Sequence, residues 1–187
     1  MTGNNRAAPA EYAGPYPVPP ETFTDRESRE ITIHRLGEGP YGTIDRESEA
    51  LVEMYTQFDP ADRAQGIPPT DEGRIRSWLE ALIEGDSINC LAWEGKTVVG
   101  HATLVPEETT DTDAYELAIF VLQSHQRAGI GYMLLRCLLG AGEQAGVETV
   151  WLTVEHWNTA AIELYKEVGF ETTDTESFDR EMALQLN

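Results

Sequence analysis

Two periods of apolar spacing alternate along this chain, and each change of period marks an element. Strand-like alternation opens at "ITIHRL" (31 to 36), and after Asp45, a helix-capping residue type, Leu51, Tyr55 and Phe58 form the first helical stripe. The polar, Pro-bearing link "DPADRAQGIPPTDEG" interrupts it. Ile75, Trp78, Leu79, Leu82 and Ile83 then recur on one face of a second helix that stops near Gly85. "SINCLAWE" and "TVVGHATLV" flank "GK" as a hairpin, and "AYELAIFV" follows as a strand with Tyr115, Leu117, Ile119 and Val121 on one side. Glu116, Ala118 and Phe120 take its other side. Ile130, Met133, Leu134, Cys137, Leu138 and Ala141 predict a third helix ending before Gly146; "ETVWLTVE" is a strand, "NTAAIELYKEV" a helix stopped at Gly169, and "FETTD" and "FDREMALQL" a closing pair of strands. The order predicts an α/β domain with a mixed sheet, since the hairpins exclude an all-parallel one.

Composition changes this picture at the N-terminus. Half of the ten prolines fall within the first twenty residues, so residues 1 to 28 are expected to form a flexible Pro-rich arm before a single domain over 29 to 187. The chain holds 33 acidic and 13 basic residues, for a formal charge of -20, which argues against nucleic acid as a partner. The acid is spread along the sequence. That pattern resembles proteins of halophilic, salt-accumulating organisms, and an acidic face attracting a cationic substrate is the other reading. No apolar run approaches a membrane span, and the N-terminus lacks a basic region followed by an apolar one, so a cytoplasmic protein with no membrane partner is expected. Cys90 and Cys137 lie in apolar segments without metal or disulfide spacing, and the four histidines lack helical metal spacing, so no metal is expected. Structural or solvent roles are expected for all four, His34, His101, His125 and His156, with His156, just after the fifth predicted strand, the first candidate for an exception.

Candidate chemistry begins at "HQRAGIGY" (125 to 132). The dinucleotide fingerprint fails there because Leu134 stands where its third Gly belongs, and the Walker A pattern fails because Tyr132 and Met133 follow Gly131. What remains is Gln126-x-x-Gly129-x-Gly131 at a helix entry, where missing Cβ atoms let backbone amides approach an anion. A Gly-rich helix entry without a ligand is the alternative.

"ELAIFVLQSHQRAGIG" and "NTAAIELYKEVGF", in that order and separation, resemble the pyrophosphate-loop and Asn-x-x-Ala-x-x-Leu-Tyr-x-x-x-Gly-Phe segments of the GNAT superfamily of acyl-CoA-dependent N-acyltransferases. The resemblance covers residues 31 to 186. It implies a mixed, mostly antiparallel twisted sheet of six to seven strands with about four helices, splayed between the family's fourth and fifth strands, here "AYELAIFV" and "ETVWLTVE". It implies acetyl-CoA as cosubstrate, with pyrophosphate held at Gln126, Arg127, Ala128, Gly129, Ile130, Gly131 and Tyr132, and pantetheine along Phe120 and Val121 and at Asn158. Many members carry Gly then Arg or Lys before the first motif Gly. Here Arg127 and Ala128 stand there, so the cation is displaced by one residue.

An amine acceptor must lose a proton before it attacks, and the departing thiolate must gain one. The resemblance casts Glu116 as the base acting through water and Tyr165 as the acid. A solvated carboxylate and a packing aromatic on the stripe of Ala161 and Val168 are the structural alternatives. The expected reaction is direct attack of a primary amine on acetyl-CoA in a ternary complex, with the acceptor, a small molecule or a protein, bound by residues 43 to 84 and 171 to 180. A catalytically silent acyl-CoA-binding module is the other reading, and a monomer or a homodimer fits either.

Overall fold

The structure is a computed structural model that describes residues 14–62, 67–107, 114–174 and 179–186. Its strands are β1 (Glu21–Thr24), β2 (Glu30–Arg35), β3 (Ile88–Glu94), β4 (Thr97–Pro106), β5 (Ala114–Val121), β6 (Thr149–Glu155), β7 (Glu171–Asp174) and β8 (Asp179–Gln185). Its α-helices are α1 (Ile44–Thr56), α2 (Glu72–Glu84), α3 (Ile130–Gln144) and α4 (Thr159–Val168). The strands form one sheet in the order β1-β2-β3-β4-β5-β6-β8-β7. Every neighbouring pair is antiparallel except β5 and β6, which α3 joins as a parallel crossover. This is the mixed, mostly antiparallel sheet with four helices that the family resemblance implies, with eight strands in place of six to seven.

Helix boundaries follow local chemistry. Thr43, not Asp45, caps α1, its Oγ1 accepting from the Arg46 amide at 3.4 Å, while Asp45 lies in the first turn and favours the helix dipole. Asp71 caps α2 in the same way. Gly169 ends α4 at φ 116°, a conformation that only glycine adopts without strain.

The two faces of the sheet carry separate cores. Leu134, Leu135, Leu138 and Ala141 of α3 and Ile162 and Val168 of α4 cover one face, packing on Ile31, Ala102, Leu104, Leu117 and Leu152. Leu51, Met54 and Tyr55 of α1 and Ile75 and Leu79 of α2 cover the other, on Leu91, Trp93 and Val98. Strands buried on both faces lose their alternation, which is why β3 and β4 read as nearly continuous apolar runs.

The arm expected over residues 1 to 28 is corrected from residue 14 onward; residues 1–13 lie outside the described residues. β1 pairs with β2 in register Glu21↔Ile33 to Thr24↔Glu30, and Tyr16 is buried, donating its hydroxyl to the Val168 carbonyl at 3.0 Å. Pro17 crosses α3 so closely that a Cβ on Gly140 would stand 2.2 Å from its carbonyl oxygen. Proline composition misled because a segment with few N–H groups to satisfy can lie flat on a helix, anchored by one aromatic. "ETFT" escaped because only Phe23 marks its buried side.

Candidate functional site

The gap between β5 and β6 is built from hydrogen-bond phase. Among the described residues the two strands share only the pairs Ala114↔Thr149, Tyr115↔Val150 and Glu116↔Trp151, after which β6 pairs with β8 alone. On its other edge β5 stays in register with β4, from Tyr115↔Pro106 to Val121↔Gly100. The Leu122 amide donates to the Val99 carbonyl at 2.9 Å and the Glu107 amide to the Ala114 carbonyl at 3.0 Å. In an antiparallel ladder these fix the alternation: Glu116, Ala118 and Phe120 direct N–H and C=O to β4, whereas Leu117, Ile119 and Val121 direct theirs into the gap. Of the two residues assigned to pantetheine, Val121 presents its N–H to the gap, its carbonyl accepting from Gln126 Nε2, and Phe120 presents neither group. Ile119 presents both, and the period-two pattern alone could not reveal it, because it gives side-chain faces and leaves hydrogen-bond phase open.

The Gly turn closes the wide end of the gap. Gln126 is extended, Arg127 has φ 60° and Gly129 φ 91°, so the chain coils before entering α3. No side chain caps α3, and the first amide in its ladder is that of Met133, which donates to the Gly129 carbonyl at 3.2 Å. Among the described residues, the amides of 127 to 132 find no acceptor in the protein. Such a set, at the positive end of a helix, suits a diphosphate. Space is open beside Gly129, and a Cβ at Gly131 would lie 3.9 Å from Val121 Cγ2 and 3.7 Å from Leu164 Cδ2, which brings loop, β5 and α4 together. The Gln126 side chain turns inward: its Nε2 donates to the Val121 carbonyl and to Asp62, each at 3.1 Å. Ala128 is buried, Ile130 joins the core, and Tyr132 packs at its edge under Arg136, 5.5 Å from the ring centre.

α4 brings the second motif to the same side. Asn158 caps it, its Oδ1 accepting from the Ala161 amide at 3.2 Å. Tyr165 is buried one turn from the end, edge-on to Phe170 at 5.8 Å, and among the described residues nothing hydrogen-bonds its hydroxyl. Burial pushes its phenol up to about 12, so at neutral pH it carries a proton.

Glu116 is exposed in the last β5 pair before the strands part, and its side chain lies on the face of Ala118 and Phe120, opposite that of α3 and α4. On that face Phe120 meets Tyr55, Phe58 and Trp78 edge-on, with ring centres 5.6, 5.9 and 5.9 Å away. These aromatics carried core spacing in the sequence and gave no hint that they form a wall on the face that Glu116 shares with Phe120.

Beneath the wall runs a buried chain of hydrogen bonds. Desolvation holds the His101 imidazole neutral, at about 3. The Asn89 amide nitrogen donates to Ser87 Oγ at 2.9 Å, so Asn89 Oδ1 accepts from His101 Nε2–H at 2.9 Å, and His101 Nδ1 accepts the Tyr55 hydroxyl at 2.6 Å. Ser87 donates onward to the Leu82 carbonyl. His101 is thus structural. His125 bonds Glu94 at 2.9 Å and Ser124 at 2.8 Å, and His156 stands exposed after β6. Burial also raises both thiols, Cys137 to about 12, which disfavours a covalent thiolate route. Among the described residues no cluster of three or more His, Cys, Asp or Glu could hold a metal, and no helix is long and apolar enough to cross a membrane.

The sequence profile of the acetyltransferase (GNAT) family matches residues 48–170, which include the gap, the loop and α4. The chain belongs to the GNAT family. A Haemophilus influenzae [ribosomal protein bS18]-alanine N-acetyltransferase is 31% identical over 127 residues, 66% of this chain and 84% of that one. The L-amino acid N-acyltransferase MnaT of Escherichia coli is 26% identical over 113 residues, 51% of this chain and 64% of the relative. The bS18-alanine N-acetyltransferase of Escherichia coli matches over 35% of its own length, so the chain spans between one and two thirds of these two relatives. Among solved folds, the GNAT domain of S. lividans PAT superposes with a TM-score of 0.73 at 16% identity, covering 89% of this chain and 96% of that one. The Salmonella typhimurium protein yncA, solved with acetyl-CoA, superposes at 0.66 with 22% identity, covering 84% and 94%.

Proposed function

We propose that this GNAT protein is an N-acetyltransferase that moves an acetyl group from acetyl-CoA to a primary amine within a ternary complex. The observation that supports it best is the set of amides 127 to 132, without acceptors among the described residues, at the mouth of a gap lined by the N–H groups of Ile119 and Val121 and the Ile119 carbonyl. The loop receives the diphosphate, and pantetheine lies in the gap as an added strand with Asn158 at its side. Gln126 shapes the entry to the loop, its amide donating to the Gln123 carbonyl at 3.3 Å, while among the described residues the Ala128 amide finds no acceptor.

Glu116 draws a proton from the acceptor ammonium through water, and the amine nitrogen then attacks the thioester carbonyl carbon. A gap-facing N–H of β5 stabilises the oxyanion. As the C–S bond breaks, Tyr165 gives its proton to the leaving sulfur, and the nitrogen of the new amide releases its surplus proton through solvent, from which the phenol is restored. The relatives' names supply the first acceptors to try, free L-amino acids and peptides with an N-terminal alanine. Titration calorimetry with acetyl-CoA and CoA, beside a thiol-release assay on those amines, is the test. Binding with amine-dependent release is expected; binding without release from a wide amine panel would favour the silent module, and absence of binding would overturn the site.

A further inference from the structure

We propose that Arg26, in the turn between β1 and β2, is a phosphate ligand of bound coenzyme A. This inference rests on the acetyl-CoA reading above and adds to it a residue outside both motifs.

The turn is fastened to the loop at two points. The Arg26 amide donates to the Ala128 carbonyl at 3.0 Å, and Arg29 Nη1 donates to the Ser124 carbonyl at 3.0 Å. Asp25 makes the turn rigid. Its buried Oδ1 accepts from the Glu27 and Arg29 amides, each at 2.9 Å, and its Oδ2 meets Arg29 Nε and Nη2, each at 2.7 Å. Burial pushes the Asp25 carboxyl up, but these hydrogen bonds outweigh it and hold the group below its ordinary value.

The charge of Arg29 is thereby neutralised within the turn, and Arg26 is left. Its side chain is exposed, its own amide is bonded to Ala128 within the loop whose amides await an anion, and among the described residues it has no ion pair or side-chain hydrogen bond. In a chain of 33 acidic and 13 basic residues, an exposed guanidinium carried by a turn bonded to the loop is a scarce source of positive charge. The loop is otherwise approached by carboxylates, Asp62 at Gln126 and Glu94 at His125. Arg127, also exposed, precedes Ala128 in the chain, so two exposed arginines adjoin the loop backbone at Ala128. A planar guanidinium can bind phosphate through two parallel N–H bonds, which supplies the cation that the shifted motif does not place.

The test is calorimetric titration of the full chain with coenzyme A and with dephospho-coenzyme A, for the wild type, Arg26→Ala, Arg26→Lys and the distant Arg74→Ala. Arg26→Ala should weaken coenzyme A roughly ten- to hundredfold, the range for hydrogen bonds to a charged group, with an unchanged melting temperature. Arg26→Lys should recover part of the loss, and Arg74→Ala should bind as the wild type does. A loss confined to coenzyme A assigns Arg26 to the ribose phosphate, and an equal loss on both ligands assigns it to the diphosphate. If Arg26→Ala binds like the wild type while Gly129→Val does not, the loop stands and Arg26 is not a ligand. If the folded wild type binds neither ligand, the acetyl-CoA reading falls, and this inference with it.

Discussion

At the scale of single residues, burial decides which groups can move protons. Tyr165 is held protonated near neutrality, so it serves as a donor. Tyr165→Phe should lower kcat by about ten- to a hundredfold while acetyl-CoA affinity stays within about twofold, measured by steady-state kinetics and calorimetry; a normal kcat would remove the phenol from the reaction. His101 gives a stability prediction instead. Its folded value of about 3 lies below the unfolded value near 6.5, so between these limits the unfolded chain binds the extra proton. Stability from neutral His101 is complete above about pH 6.5 and is lost as pH falls toward 3, at about 1.4 kcal/mol per pH unit. The stability gap between wild type and His101→Gln, followed by denaturant titration, should narrow over that range; a constant gap would contradict the buried neutral ring. Roles such as these were only partly legible in the sequence. Motif spacing marked Tyr165, Asn158 and the loop, whereas the Tyr55, His101 and Asn89 chain joins elements far apart in sequence and leaves no periodic trace.

At the scale of elements, the strands and helices after residue 30 follow from periodicity, because each has one face that must be covered. β1 was illegible for the opposite reason. Its "ETFT" carries one apolar residue, and its place is set by Tyr16 and Pro17 on α3 and by the Asp25 turn. Gly140 is where that fit is tightest. Gly140→Ala should destabilise the protein by roughly 1–3 kcal/mol, since the new methyl meets the Pro17 backbone, which cannot rotate away as a side chain could. Thermal unfolding checks this, and an unchanged melting temperature would mean that the strap lifts at little cost. The opening beyond Glu116↔Trp151 was likewise invisible to composition and spacing, because both strands look equally able to pair.

At the scale of the whole molecule, a charge of -20 sets the conditions under which every binding test must be read. Self-repulsion should weaken the fold at low ionic strength. The melting temperature should rise between 0.1 and 2 M KCl, by about 2–4 °C for each kcal/mol of repulsion relieved, and a flat profile would argue against adaptation to salt. Coenzyme A titrations therefore need matched salt, since screening strengthens the protein while weakening a guanidinium-phosphate pair. A quieter consequence lies in β5. Its even residues send side chains to the face of the aromatic wall and spend their amides on β4, while its odd residues give side chains to the α3 face and amides to β6 at the strand's start and to the gap beyond it. Slipping the strand by one position would exchange every one of these assignments at once. The site is therefore written as a phase, and it tolerates changes of letter far better than a shift of frame.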